Sequence, residues 1–197
     1  MRLFVLARHG RSTLNDEGRV NGDPSVPVHL TADGVAAAEK LGTQLANLPL
    51  DLCVHTRYER TRETVAAILG TREVPLLEEP LLDDVAVGDL EGETLAAYEE
   101  WKRARRRDEP FPGGESLDDA ARRYAAAFRR LLERTERTTL VVCHEIPIRY
   151  ALNGAEGSTE LDGPAHRIPN ATPYLFDAES LARAVDGIER ILALGAR

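Results

Sequence analysis

Cysteine, tryptophan and methionine are scarce in this sequence, which has two Cys, one Trp and one Met among 197 residues. Cys53 and Cys143 each lie in a short apolar run that is typical of a buried strand, and no C-x-x-C motif occurs. The sequence therefore does not indicate a disulfide framework, and we expect both cysteines to be small core residues.

Long apolar runs are also missing. Near the N-terminus only residues 3–7 are continuously apolar before Arg8 interrupts them, whereas a membrane span requires about 20 such residues. A secretory signal would also need a longer apolar segment than this one. We therefore expect a cytoplasmic protein with no membrane partner.

The motifs of several large enzyme classes are absent. The chain contains no P-loop, no G-x-G-x-x-G and no G-x-S-x-G sequence. ATP-dependent chemistry, nucleotide redox chemistry and serine hydrolysis therefore lose their main support.

An excess of negative charge argues against a nucleic-acid partner. The formal net charge is -8, so phosphate polymers are repelled at long range. The basic run at 102–107 is flanked by acidic residues and is interpreted as a solvated helix face. Electrostatic steering of an anionic substrate is the alternative role for this run.

Short apolar runs alternate with amphipathic segments along the chain. The apolar content of 43% and the charged content of 29% are ordinary for a globular protein. Predicted strands occupy 3–7, 52–55, 74–77, 138–143 and 174–176. Predicted helices run from the N-cap Thr31 to Pro49, over 60–69, over 94–107 and from the N-cap Ser116 to 132. This alternation predicts a single α/β domain over 1–197, a three-layer α/β/α sandwich around a mostly parallel sheet.

Two of the predicted strands end at a histidine. His9 follows the first strand within Arg8-His9-Gly10, and His144 follows the strand at 138–143. Ligands bind outside the carboxyl ends of strands in parallel α/β sheets. We therefore expect the two histidine loops to meet at one site.

A third predicted strand, at 52–55, leads into an arginine-rich segment with Arg57, Arg60 and Arg62. The guanidinium fork matches the oxygens of a phosphate group. Nearby positive charge disfavours protonation of an imidazole, and the neutral ring can then act as a nucleophile toward phosphorus. The leaving oxygen needs a proton from a carboxylic acid, and the candidates are Asp83, Asp84, Asp89 and Glu91.

Several motifs in the same order resemble one known family, the phosphoglycerate-mutase-like branch (branch 1) of the histidine phosphatase superfamily. The resemblance covers nearly the whole chain. Its motifs are Arg8-His9-Gly10-Arg11-Ser12-Thr13-Leu14-Asn15, Leu30-Thr31-Ala32-Asp33-Gly34, the segment around Arg60, Asp84 with Gly88, Gly113-Gly114-Glu115-Ser116, Val141-Val142-Cys143-His144 and Asn170-Ala171-Thr172.

The resemblance implies a metal-independent phosphomonoesterase that acts on a small phosphorylated metabolite without a cofactor. It implies that His9 takes the phosphoryl group and that Asp84 protonates the leaving alcohol and then activates water. The implied phosphate-binding residues are Arg8, Asn15, Arg60 and His144.

The sequence departs from the family pattern at three positions. Asp84 stands where glutamate is usual, so Asp83 stays open as the acid. Glu145 stands where glycine is common, and its carboxylate either repels a phosphate or points away. Arg11 replaces a frequent Glu or Gln, and we hypothesise that it favours a multiply anionic substrate.

Two other functions stay open. A cofactor-dependent phosphoglycerate mutase would return the phosphoryl group to its substrate, and true mutases of this family carry a longer segment between the acid and the Gly-Glu-Ser motif. Only 30 residues separate Asp84 from Gly114 here, which favours hydrolysis. A non-catalytic module that binds a phosphorylated ligand is the second alternative. A homodimer is compatible with the sequence, which does not show the oligomeric state.

Overall fold

A computed structural model describes residues 2–195 of the chain. It contains a five-stranded sheet in the order β3-β2-β4-β1-β5. The strands are β1 (Leu3–Arg8), β2 (Leu52–His55), β3 (Leu76–Glu78), β4 (Thr138–Cys143) and β5 (Pro173–Asp177). Parallel pairing joins β3, β2, β4 and β1, and β5 alone runs antiparallel, beside β1. The predicted mostly parallel sheet is confirmed.

Residues 2–195 contain seven α-helices. They are α1 (Thr13–Glu17), α2 (Ala32–Gln44), α3 (Glu59–Leu69), α4 (Leu95–Arg103), α5 (Leu117–Glu133), α6 (Glu145–Ala155) and α7 (Ala178–Gly195). Two 3-10 turns, Pro80–Leu82 and Gly88–Leu90, lie between β3 and α4. Helices α1, α6 and α7 lie outside the helical segments that the sequence pattern indicated.

Side chains of β1 divide the core into two layers. Phe4 and Leu6 pack into the apolar cluster formed with α5, α6 and α7, whereas Val5 and Ala7 pack into the cluster formed with α2 and α3. Burying both faces requires apolar residues at successive positions, which explains the continuous apolar runs. The three-layer α/β/α sandwich is therefore confirmed.

Local capping explains where the main helices begin. The Thr31 hydroxyl accepts a hydrogen bond from Gly34 N, and Ser116 forms a capping box with Asp119. The predicted helix at 94–107 begins at the Thr94 cap but ends at Arg103. The chain beyond it turns toward the α5 side of the molecule.

The register of the central strands brings the two histidine loops together. Arg8 at the end of β1 lies opposite Cys143 at the end of β4. His9 N also donates to Cys143 O at 3.0 Å. The residue that follows each strand therefore emerges at the same edge of the sheet.

Candidate active site

Hydrogen bonds with two side chains hold the backbone of the histidine loop after β1. Gly10 N donates to the Thr64 hydroxyl at 2.9 Å, and Asn170 Nδ2 donates to His9 O at 2.8 Å. A Cβ at Gly10 would lie 2.5 Å from Gly34 O, so only glycine permits the close approach of the α2 backbone. This packing explains why a glycine follows His9.

The His9 ring is buried and has a defined tautomer. Its Nδ1 lies 2.7 Å from Gly10 O, a carbonyl that can only accept, so Nδ1 carries a proton. Burial and then the charges of Arg60 and Arg8 hold the pKa of His9 well below its usual value. The ring is therefore neutral at neutral pH, with the lone pair of Nε2 available.

Arg60 joins the two histidines. Its Nε donates to His9 Nε2 at 3.1 Å, and its Nη2 lies 3.1 Å from His144 Nδ1. The guanidinium is almost completely buried and stacks over the Tyr58 ring at 4.2 Å. Its Nη1 also donates to the side chain of Asn21. Arg60 therefore presents a fixed positive charge at the bottom of the site.

His144 lies beneath His9, with ring centroids 5.4 Å apart. Its Nε2 is 3.0 Å from the hydroxyl of Thr56. Because Arg60 donates to Nδ1, the neutral ring carries its proton on Nε2 and donates it to Thr56. Complete burial and then the charge of Arg60 hold the pKa of His144 well below its usual value.

Arg8 has an incompletely satisfied guanidinium. Its Nη1 donates to Glu145 Oε2 at 2.7 Å and to Ile168 O at 2.9 Å. Its Nε is buried and makes no hydrogen bond within residues 2–195. A buried N–H without an acceptor is costly, so this donor suits an anionic ligand beside His9.

The adjacent Asp83 and Asp84 have different surroundings. Asp84 lines the cavity with its Oδ2 3.3 Å from Arg60 Nη2 and 3.5 Å from His144 Nδ1. Asp83 is buried, and its oxygens accept from Arg57 N at 3.0 Å and Arg57 Nε at 2.5 Å. Burial raises the pKa of Asp83 even though Arg57 opposes this. Only Asp84 therefore faces the site.

A cavity of about 150 Å³ opens above these groups. The structure places Arg8, His9, Asn15, Arg60 and Asp84 on its wall, and His144 directly behind them. Within residues 2–195, no cluster of three His, Cys, Asp or Glu side chains is arranged to hold a metal ion. At the His9 end, the cavity therefore combines an imidazole with the guanidinium groups of Arg8 and Arg60 and the carboxyl group of Asp84.

Arg11 and Glu145, two of the departures from the family pattern, lie at different places relative to the cavity. Arg11 pairs with Asp16, is more than half exposed and does not line the cavity. Its position gives no support to the hypothesis that it selects anionic substrates. Glu145, in contrast, lines the cavity and pairs with Arg8.

Several positioning residues were missed by sequence reasoning. Arg123 lies off the apolar stripe of α5, and its guanidinium donates to the carbonyl oxygens of Leu81, Asp83 and Asp84 at 2.7–2.9 Å. Arg123 therefore holds the loop that carries the acid. Glu115, in the Gly-Gly-Glu-Ser motif, accepts from Arg123 and from Ala86 N. The position of Glu115 in that motif is the sequence signal that could have identified it as a positioning residue.

The basic run at 102–107 is only partly a solvated face. Lys102 lines the cavity, whereas Arg107 reaches inward to Asp118 at 3.1 Å and to the Tyr150 hydroxyl at 3.0 Å. The interpretation of the whole run as surface charge is therefore wrong for Arg107. Trp101 stacks on Phe111 with centroids 4.1 Å apart and fastens α4 to the body of the protein.

Relatives of known activity differ in what they do. A 2,3-bisphosphoglycerate-dependent phosphoglycerate mutase of Rhizobium etli is 32% identical over 194 residues, 89% of this chain and 90% of that protein. The adenosylcobalamin/alpha-ribazole phosphatase of Escherichia coli is 34% identical over 91 residues, 46% of this chain and 43% of that protein.

Solved structures share the fold. The alpha-ribazole phosphatase of Shigella flexneri superposes with a TM-score of 0.78 at 24% identity, covering 89% of this chain and 90% of that one. Among residues 2–195, no helix combines the length and apolar character that a membrane span requires.

The model of the histidine phosphatase superfamily (branch 1) matches residues 4–189. Together with the mutase relative, this match shows that the chain belongs to the histidine phosphatase superfamily, branch 1.

Proposed function

We propose that this protein is a phosphomonoesterase that acts on a small phosphorylated metabolite through a phosphohistidine at His9. The observation that carries the proposal is the state of the His9 ring. Its Nδ1 proton is held by Gly10 O, and its buried Nε2 lone pair points at Arg60 inside the cavity. A neutral imidazole with a fixed tautomer beside two arginines is suited to attack phosphorus.

In the first step, His9 Nε2 attacks phosphorus and the bond from phosphorus to the ester oxygen breaks. Asp84, in its carboxylic acid form, donates its proton to the departing alcohol oxygen. Arg60 Nε exchanges its hydrogen bond with His9 for one with a phosphoryl oxygen. The products of this step are a phosphohistidine, the free alcohol and the Asp84 carboxylate.

In the second step, water attacks the phosphohistidine. Asp84 takes a proton from the water as the new oxygen–phosphorus bond forms and the nitrogen–phosphorus bond breaks. Inorganic phosphate leaves, and His9 regains its neutral form with the proton still on Nδ1. Asp84 is again a carboxylic acid, so the cycle is closed.

Charge on the transferred group is balanced by side chains in this proposal. Arg60 and the unpartnered Nε of Arg8 supply donors and positive charge, and such preorganised donors are worth most in a site that excludes water. Asn15 lines the cavity, and its Oδ1 accepts from Ser12 N at 3.2 Å. The amide nitrogen of Asn15 is the group that would donate to the phosphoryl oxygens in this proposal. This arrangement requires no metal ion.

Mutase activity is the second candidate, because the Rhizobium etli mutase matches the chain along nearly its full length. Nearly equal coverage of the two chains means that their lengths are similar. The length of the segment between Asp84 and Gly114 therefore does not by itself separate the two activities. A mutase would retain the phosphoglycerate at the site long enough to receive the phosphoryl group back.

The test is phosphate release from a panel of esters in EDTA. The panel contains p-nitrophenyl phosphate, 3-phosphoglycerate, sugar phosphates and nucleotides. We expect release by the wild type, no release by His9→Ala, and normal release by His29→Ala, since His29 is exposed and pairs with Glu63. Mass spectrometry should detect a phosphoryl group on His9 in the wild type.

Two outcomes would contradict the proposal. Interconversion of phosphoglycerates that depends on 2,3-bisphosphoglycerate and exceeds phosphate release would establish a mutase. Phosphate binding without any label on His9 would instead indicate the non-catalytic binding module.

A further inference from the structure

The cavity wall that remains beside the phosphoryl site is about half apolar. We call it the leaving-group wall, because any part of a substrate beyond its phosphoryl group must contact it. Its apolar members are Leu14, Val20, Val85, Val87, Leu95, Tyr98 and Ile146. Such a surface gains free energy when it covers apolar atoms of a ligand.

The terminal nitrogens of Arg149, the most buried cation on the leaving-group wall, are already paired, whereas its buried Nε makes no hydrogen bond within residues 2–195. Arg149 Nη2 lies 2.8 Å from Asp162 Oδ1, and its Nη1 lies 3.7 Å from Glu145 Oε1. Only 11% of the Arg149 side chain is exposed. Two carboxylates of the chain therefore surround this guanidinium, and a carboxylate of a substrate would have to displace one of them.

Glu145 adds negative charge to the same wall. Its Oε2 accepts from Arg8 Nη1 at 2.7 Å, and its side chain is 30% exposed at the cavity. Glu145 thus lies between Arg8, which serves the phosphoryl group, and Arg149, which faces the leaving group. It lowers the positive charge that both arginines present.

The other cations of the wall are also paired, though more weakly. Lys102 Nζ lies 3.4 Å from Glu99, and Arg19 Nε lies 3.6 Å from Glu17. Both carboxylates are about half exposed, and exposed pairs of this kind contribute little. Glu145 is therefore the carboxylate with the strongest effect on an incoming leaving group.

Given the proposed phosphatase function, we propose that Glu145 selects esters whose leaving group is uncharged and partly apolar and rejects those that carry a carboxylate or a second phosphate. The rejected group would face Glu145 and find the terminal nitrogens of Arg149 already paired. The accepted group would cover the apolar side chains of the leaving-group wall. This selection is opposite to the one that a phosphoglycerate mutase requires.

Matched esters test the charge selection. One pair is phenyl phosphate and 4-carboxyphenyl phosphate, and the other is glycerol 3-phosphate and 3-phosphoglycerate. In each pair the wild type should show a kcat/KM about tenfold or more higher for the uncharged leaving group. Glu145→Gln keeps an acceptor for Arg8 but removes the charge, so the ratio should fall about tenfold, equivalent to one charge interaction of about 1.4 kcal/mol.

A matched control separates a local charge from a general one. Glu189→Gln removes a carboxylate that pairs with Arg129 at 2.5 Å, away from the cavity. Its ratio should equal that of the wild type. Leu95→Ser tests the apolar part of the wall and should lower kcat/KM for phenyl phosphate about threefold to tenfold more than for glycerol 3-phosphate.

The outcomes distinguish this inference from the function on which it rests. If the esters release phosphate but the wild type prefers the carboxylated members, or Glu145→Gln leaves the ratio unchanged, the selection by Glu145 is refuted and the phosphatase stands. If no ester releases phosphate and His9 carries no phosphoryl group, the phosphatase and the selection are both refuted.

Discussion

Replacing Asp84 with asparagine removes the proposed acid while changing little else. The side chain keeps its size, and its Oδ1 can still accept from Val85 N, as Asp84 does at 3.0 Å. The amide is uncharged, like the acid form of Asp84 that the proposed cycle requires, so it leaves the charge of Arg60, whose Nη2 lies 3.3 Å from Asp84 Oδ2, unchanged. We therefore expect KM to stay constant, with the loss confined to kcat.

The size of the loss should depend on the leaving group. An alkoxide needs a proton as it departs, and a positioned acid contributes about 100-fold to 10,000-fold, or about 3–5 kcal/mol. Asp84→Asn should therefore lower turnover of an alkyl phosphate by that factor. A p-nitrophenolate leaves without a proton, so the first step with p-nitrophenyl phosphate should slow by less than about tenfold.

Rapid-quench kinetics separates the two steps. Because Asp84 also activates the water, its asparagine variant should release p-nitrophenolate in a burst and accumulate phosphohistidine. Asp83→Asn is the matched control: it weakens the pair with Arg57, lowers stability by about 1–2 kcal/mol and leaves the dependence on the leaving group unchanged. Equal losses on both esters for Asp84→Asn, or the selective loss in Asp83→Asn, would refute the assignment.

Three further perturbations test the surroundings of the site. The free energy of unfolding should be highest above about pH 6.5 and should decrease below that pH by up to about 2.7 kcal/mol per pH unit. The reason is that His9 and His144 stay neutral in the folded protein and take up protons in the unfolded chain. Urea denaturation should show about half that slope in His144→Gln; an unchanged slope would contradict the low pKa. Thr56→Val leaves the His144 Nε2 proton without its 3.0 Å acceptor and should cost about 1–3 kcal/mol, which Thr56→Ser should restore in the same denaturation assay. Arg123→Gln frees the loop around Asp84 and should lower kcat for an alkyl phosphate more than for p-nitrophenyl phosphate; equal effects would exclude a positioning role.

Strand prediction succeeded where both faces of a strand are buried. Strands β2 and β4 have the predicted bounds, because every side chain of a central parallel strand faces a helix layer and the apolar run is continuous. Strand β3 lies two residues beyond the predicted start. It is an edge strand whose first residue, Leu76, is 58% exposed. Because burial does not select the residues of an edge strand that pair with its neighbour, the apolar run in the sequence is displaced from the strand.

Helix α6 shows the opposite case. It begins at Glu145 directly after His144, with Pro147 in its first turn. Ile146, Ile148 and Tyr150 are all buried, and no side chain caps the first turn. The start of the helix therefore lacks the N-cap signal that marks α2 and α5 in the sequence.

The sequence by itself determined the alternation of layers and the meeting of His9 with His144, since burial periodicity and the rule for strand ends are local properties of each element. Only the tertiary structure shows which of Asp83 and Asp84 lines the cavity. Asp83 and Asp84 are adjacent in the sequence. Arg57 binds Asp83 away from the cavity, whereas Asp84 lines the cavity. The tertiary structure also brought Arg123 and Thr56 into contact with Asp84 and His144, and it paired Glu145 with both Arg8 and Arg149. Such roles depend on the distance between side chains that are far apart in sequence, and only packing sets that distance.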